Sequence, residues 1–177
     1  MKKKLLAVSV ACFLLFTTVG LANAIVISLD ARTNTTTNPI SLYFDAGYYD
    51  VTPTELTDVP DAWNAWGYTN CTEPGSACAG WINNYSLSSS EFSAYTVSDG
   101  IRYATQSEAF QHAVSTSFSL TSGAYVDFFI SDCPYSDNVG GINLSIEEGT
   151  APVPEPATFL LLGGGLAGLA FYRRKRK

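Results

Sequence analysis

Two short segments carry residues suited to recognition chemistry. Asp132-Cys133-Pro134-Tyr135-Ser136-Asp137-Asn138-Val139-Gly140-Gly141 sets two carboxylates, an amide and several carbonyls on one tight, glycine-ended loop. Asp132, Asp137 and Asn138 are hard oxygen ligands of the kind Ca²⁺ takes, which makes calcium a candidate cofactor. The same residues also suit a plain hairpin loop, in which Asp and Asn side chains satisfy the turn. The second segment is Trp63-Asn64-Ala65-Trp66-Gly67-Tyr68, with Trp81 and Tyr85 further on. Exposed aromatic rings beside amides and carboxylates suit sugars, because ring faces stack on C–H surfaces while the polar groups bond hydroxyls. Trp63, Trp66 and Tyr68 are therefore candidate sugar contacts, with burial in a core as the competing reading.

Catalysis is not expected. His112 is the one histidine, and no Gly-x-Ser-x-Gly, His-Glu-x-x-His or P-loop pattern occurs. A glycosidase needs two facing carboxylates, but a chain with sixteen acids always offers some pair, so their presence points nowhere. Nucleic acid is excluded as a partner. Between residues 25 and 152 only Arg32 and Arg102 are basic, against fifteen acids, so nothing there can neutralise phosphates.

The other eight basic residues sit at the two ends of the 177-residue chain, and both ends read as addresses. Lys2, Lys3 and Lys4 precede an apolar run from Leu5 to Val19, and Ala22-Asn23-Ala24 offers a small-x-small cleavage site. Residues 1–24 are thus expected to be a signal peptide removed by signal peptidase. Ser9-Val10-Ala11-Cys12 loosely fits a lipobox, but the apolar run continues past the cysteine. At the other end, Pro152-Val153-Pro154-Glu155-Pro156 resists helix, the stretch 157–172 is apolar, and a basic tail of five residues closes the chain. A helix over 157–172 reaches about 24 Å, short of the roughly 30 Å hydrocarbon core. The basic tail fixes its end in the cytoplasm, which places the middle of the chain outside the inner membrane.

The middle, residues 25–150, is expected to be all-β. Alternation predicts strands at Ile25–Leu29, Ile40–Phe44, Gly47–Pro53, Glu91–Val97, Ile101–Ala104, Ser115–Leu120, Ala124–Ser131 and Gly141–Glu147. A single helix is predicted over Ser107–Val114, with Ser107 as its cap. Eight or so strands in such a length suggest a β-sandwich or jelly roll. Cys71 and Cys78 bracket a Pro-Gly turn and can close an eight-residue disulfide loop in an oxidising compartment. Cys133 is left over, either free or an alternative partner for one of them.

Residues 151–177 closely resemble the PEP-CTERM sorting signal of exopolysaccharide-producing Gram-negative bacteria. The resemblance rests on Val153-Pro154-Glu155-Pro156-Ala157-Thr158, the glycine-rich apolar stretch and the basic tail. It implies recognition of Val153, Pro154, Glu155 and Pro156 by exosortase, a membrane cysteine transpeptidase. The precursor would sit in the inner membrane through a transmembrane helix at 157–172, and the product would go to the cell surface or beyond.

The middle is distantly similar to the calcium-dependent galactophilic bacterial lectins, which are small β-sandwiches. Leu29-Asp30-Ala31, the strands around Gly47, Trp66-Gly67, the paired cysteines, and Asp132 followed by Asp137-Asn138 carry that likeness. It implies calcium and sugar at Asp132, Asp137 and Asn138, with a backbone carbonyl near Tyr68. The expectation is a non-catalytic surface protein that associates with extracellular polysaccharide, with calcium assistance. The alternative is a structural matrix protein with no ligand site.

Overall fold

The computed structural model describes residues 24–149 apart from Ser76. The expected signal peptide and the sorting segment with its transmembrane helix lie outside the described residues. No helix among the described residues is long and apolar enough to cross a membrane.

Nine strands make two antiparallel sheets: β1 (Ile25–Asp30), β2 (Ile40–Phe44), β3 (Gly47–Pro53), β4 (Trp63–Asn64), β5 (Tyr85–Ser89), β6 (Tyr95–Val97), β7 (Thr116–Leu120), β8 (Ala124–Phe129) and β9 (Val139–Glu148). One sheet runs β1-β9-β3-β7 with β4 added beside β9, and the other runs β2-β8-β5-β6. The chain crosses repeatedly between the sheets, as a sandwich requires, so its connections collect at two poles. The all-β expectation holds.

Period-two alternation explains why these segments are strands. In β3, Tyr49, Val51 and Pro53 turn inward while Asp50 and Thr52 face water. In β8, Val126 and Phe128 are wholly buried and Tyr125 is exposed. The inner faces meet in one core built from Leu29, Val51, Phe118, Leu144 and Ile146 against Phe44, Leu87, Val126 and Phe128. Tyr49 stacks on Phe118 at 5.2 Å between centroids, and Phe44 meets Tyr49 edge-on at 4.9 Å. Each fully buried aromatic or branched side chain contributes about 1.5–3 kcal/mol of transfer free energy.

β9 is covered on both faces. Ile142, Leu144 and Ile146 face the core, while Asn143 is also buried, donating its Nδ2 to Pro60 O at 3.1 Å and to Asp61 Oδ1 at 3.1 Å. Its register fixes which loops lie together. Gly140 pairs with Trp63 at one end, and Ile146 pairs with Ile25 at the other.

Several predicted elements shift. The helix, α1, spans Gln106–Gln111 and is capped by Thr105, not Ser107. Thr105 and Glu108 form a reciprocal capping box, the Thr-x-x-Glu pattern that satisfies two exposed N–H groups at once. Of the strand expected over 91–97 only 95–97 forms, because Glu91 turns away to bind another hairpin. The strand expected at 101–104 reduces to one bridge between Tyr103 and Trp81. β4 and β5 had no counterpart in the pattern.

Candidate functional site

The two segments that the sequence separates by more than sixty residues meet at one pole of the sandwich. They form a cleft of about 300 Å³ lined by Ala65, Trp66, Arg102, Asp132, Cys133 and Asp137.

One wall is built from β4. Its pairing with β9 anchors Trp63 opposite Gly140 and Asn64 opposite Val139. The chain then turns sharply, and Asn64 Oδ1 accepts the Trp66 N–H at 3.0 Å. Gly67 takes φ 71°, and a Cβ there would lie 3.1 Å from Asp137 O, so the turn packs against the opposite wall's backbone. Trp66 is left 53% exposed on this turn.

The other wall is the loop between β8 and β9. It is fastened to the 31–39 loop by a mesh of hydrogen bonds: Asn138 Nδ2 donates to Ala31 O at 2.8 Å, Arg32 Nε donates to Asn138 O, and the hydroxyls of Thr36 and Tyr135 lie 3.2 Å apart. Asp30 Oδ1 fixes the start of that loop by accepting from the N–H groups of Arg32 and Thr33, both at 2.9 Å. Asp132 and Asp137, carried on this frame, line the cleft.

Four sequence expectations can be placed directly. Trp66 lines the cleft with Asp132 and Asp137, so the aromatic and acidic candidates share one site. Trp63 is corrected: it is 2% exposed and part of the core, its indole N–H donating to Asn84 Oδ1 at 2.9 Å. Tyr68 is 45% exposed on the same loop but does not line the cleft. Asn138 is fully buried beneath the cleft, its Nδ2 tying the two loops together while its Oδ1 has no hydrogen-bond partner.

Arg32 Nε donates to the backbone carbonyl of Asn138, and Arg102 lines the cleft itself. Among the described residues no group of three or more His, Cys, Asp or Glu side chains stands close enough to hold a metal. The cleft sets one aromatic residue, two acidic residues and one arginine together. His112 lies apart from it, stacked on Tyr103 at 4.6 Å, with Nδ1 2.9 Å from Glu108 O.

Arg102 is the residue that sequence reasoning missed. Its signal was rarity: it is one of two basic residues in the whole 25–152 stretch. Cys71 and Cys78 are disulfide-bonded as expected, and Cys133 is free and exposed in the cleft wall.

Comparison with curated proteins and with solved structures finds no match, so the similarity to galactophilic lectins gains no support. Val153, Pro154, Glu155 and Pro156 fall within a segment that does match: residues 152–177 fit the PEP-CTERM protein-sorting motif, which implies exosortase as processing partner and export to the cell surface.

Proposed function

We propose that the sandwich is a non-catalytic carbohydrate-binding domain of the cell surface or extracellular matrix, taking extracellular polysaccharide in the cleft between Trp66 and the Asp132–Asp137 loop. The exposed Trp66 face beside two carboxylates and Arg102 carries this reading. Trp66 stacks on the sugar's C–H face while Asp132, Asp137 and Arg102 divide its hydroxyls between acceptors and donors. A strongly acidic surface repels acidic polymers, so the sugar is neutral. Sorting by exosortase would deliver the domain to where such polymers accumulate.

Calcium has no required part in this reading. Specific binding to the folded state must stabilise it, so the melting midpoint should be the same in millimolar calcium and in chelator. A rise with calcium would return the ion to the site.

A glycan array with the full chain tests the sugar. Neutral glycans should give signal that Trp66→Ala and Asp137→Ala remove without lowering the melting midpoint. An array with no neutral-glycan signal leaves the scaffold reading, a surface protein without a ligand site.

A further inference from the structure

A second, larger depression is lined by residues that follow Trp66 and Arg102 in the chain. This groove has a volume of about 530 Å³, with Thr69, Asn70 and Thr72 on one side and Thr105, Gln106 and Ser107 on the other. Cys71, Trp81 and Ala104 complete the lining, which carries no charged residue. Among the described residues, the side chains of Thr69, Asn70, Thr72, Gln106 and Ser107 make no hydrogen bond. Only Thr105 is engaged, its Oγ1 accepting the Glu108 N–H at 3.1 Å. So dense a set of uncommitted neutral donors and acceptors suits a ligand that presents hydroxyls at every step.

The walls are fixed before any ligand arrives. Cys71 lines the groove and is tied to Cys78 by the disulfide. On the other side, Tyr103 and Trp81 exchange two backbone hydrogen bonds of 2.8 Å. The two sides touch at Gly80, with φ 86°, where a Cβ would lie 2.9 Å from Pro74 Cβ and 3.1 Å from Arg102 Cβ. A groove held in this way loses little conformational freedom on binding.

We infer that the groove is a second sugar subsite, so that the domain binds a run of several residues of a neutral polysaccharide and not a single terminal sugar. This rests on the cleft being the first subsite. The cleft alone is at the lower limit of small-molecule sites, which run from about 300 to 1,000 Å³, and the groove, lined by the residues next along the chain from Trp66 and Arg102, adds a second surface.

Titration calorimetry of the full chain with neutral β-glucan and galactan oligosaccharides of two to six units tests it. Binding of the better series should tighten about tenfold from dimer to hexamer, as one or two net hydrogen bonds provide. Asn70→Ala combined with Gln106→Ala should remove that gain and leave the dimer's affinity unchanged. Thr69→Ala with Ser107→Ala should act alike, and equal melting midpoints establish that both variants fold. Trp66→Ala should weaken dimer and hexamer together. A dimer that binds as tightly as the hexamer overturns the second subsite while sparing the cleft. So does a length dependence that survives both double variants. Absence of binding to any neutral glycan, on the array and in solution, overturns the cleft and the groove together.

Discussion

Trp63 and Trp66 stand three residues apart and do opposite work. Trp63 fills the core, so Trp63→Ala should cost about 3–5 kcal/mol in denaturant unfolding, the usual range for a deleted buried indole. Trp66 projects from a turn, and Trp66→Ala should stay within about 0.5 kcal/mol of the parent while abolishing glycan signal. A large loss of stability from Trp66→Ala would mean that its ring packs against the fold. Glu91 shows a different economy. Its carboxylate accepts from the Ser122 hydroxyl and N–H and from the Thr121 N–H and hydroxyl, joining the β5–β6 connection to the β7–β8 turn. Those bonds, the Ser122 hydroxyl first and then Thr121, draw its pKa down to about 2 from an ordinary 4.5. A carboxyl lowered on folding stabilises fully above its unfolded value, and the contribution fades as pH falls toward the folded one. The melting midpoint of Glu91→Gln should therefore trail the parent at pH 7, and the two should converge as the pH falls from about 4.5 to about 2. A gap that does not change with pH would assign the effect to shape instead of charge.

Elements at the ligand pole depend on local closures more than on strand pairing. Removing the Cys71–Cys78 disulfide with serines should cost about 2.5 kcal/mol by chain entropy for so short a loop, read as a shift in the denaturant midpoint. It should also blunt the glycan-length dependence, because Cys71 lines the groove. Thr105→Ala removes the α1 cap and should cost about 1 kcal/mol, whereas Ser107→Ala, at the position where the sequence pattern put the cap, should cost much less. That contrast also marks what the sequence could convey. β2 and β3 were legible to the residue because each has one wet and one dry face, and the alternation survives intact. β5 was not, since Ser86 on its outer side is itself buried, bonded to Thr96 across the sheet at 2.8 Å, and the strand reads as a serine-rich linker. β4 has only two residues and exists because β9 and the Ile82 segment flank it, which no local pattern records. The site was half legible. Asp132, Asp137 and Trp66 line one cleft, but their meeting depends on β4 being drawn to β9. Nothing in the spacing of Trp63 and Trp66 says which of them faces water.

At the scale of the whole molecule, the strand register sets an orientation. β1 begins at Ile25 opposite Ile146 and β9 finishes at Glu148 opposite Tyr49, so the described chain enters and leaves at one pole. The cleft lies by Gly140 at the far end of β9, and ten residues of strand separate the poles by about 30 Å. The sorting motif starts at residue 152, directly after the near pole. If the sorting segment holds the precursor in the membrane, the near pole is expected to face the bilayer and the cleft to point away from it. Cys133 supplies a native reporter, being free and exposed in the cleft wall. In spheroplasts lacking exosortase, where the precursor stays anchored, a membrane-impermeant maleimide should label Cys133 at nearly the rate seen after detergent solubilisation. A thiol placed in the near-pole turn by Ser122→Cys, in a Cys133→Ser background, should instead gain several-fold in rate on solubilisation. Equal protection at both positions would mean that the sandwich lies flat on the membrane, and the cleft would then be closed to polymer until the protein is released.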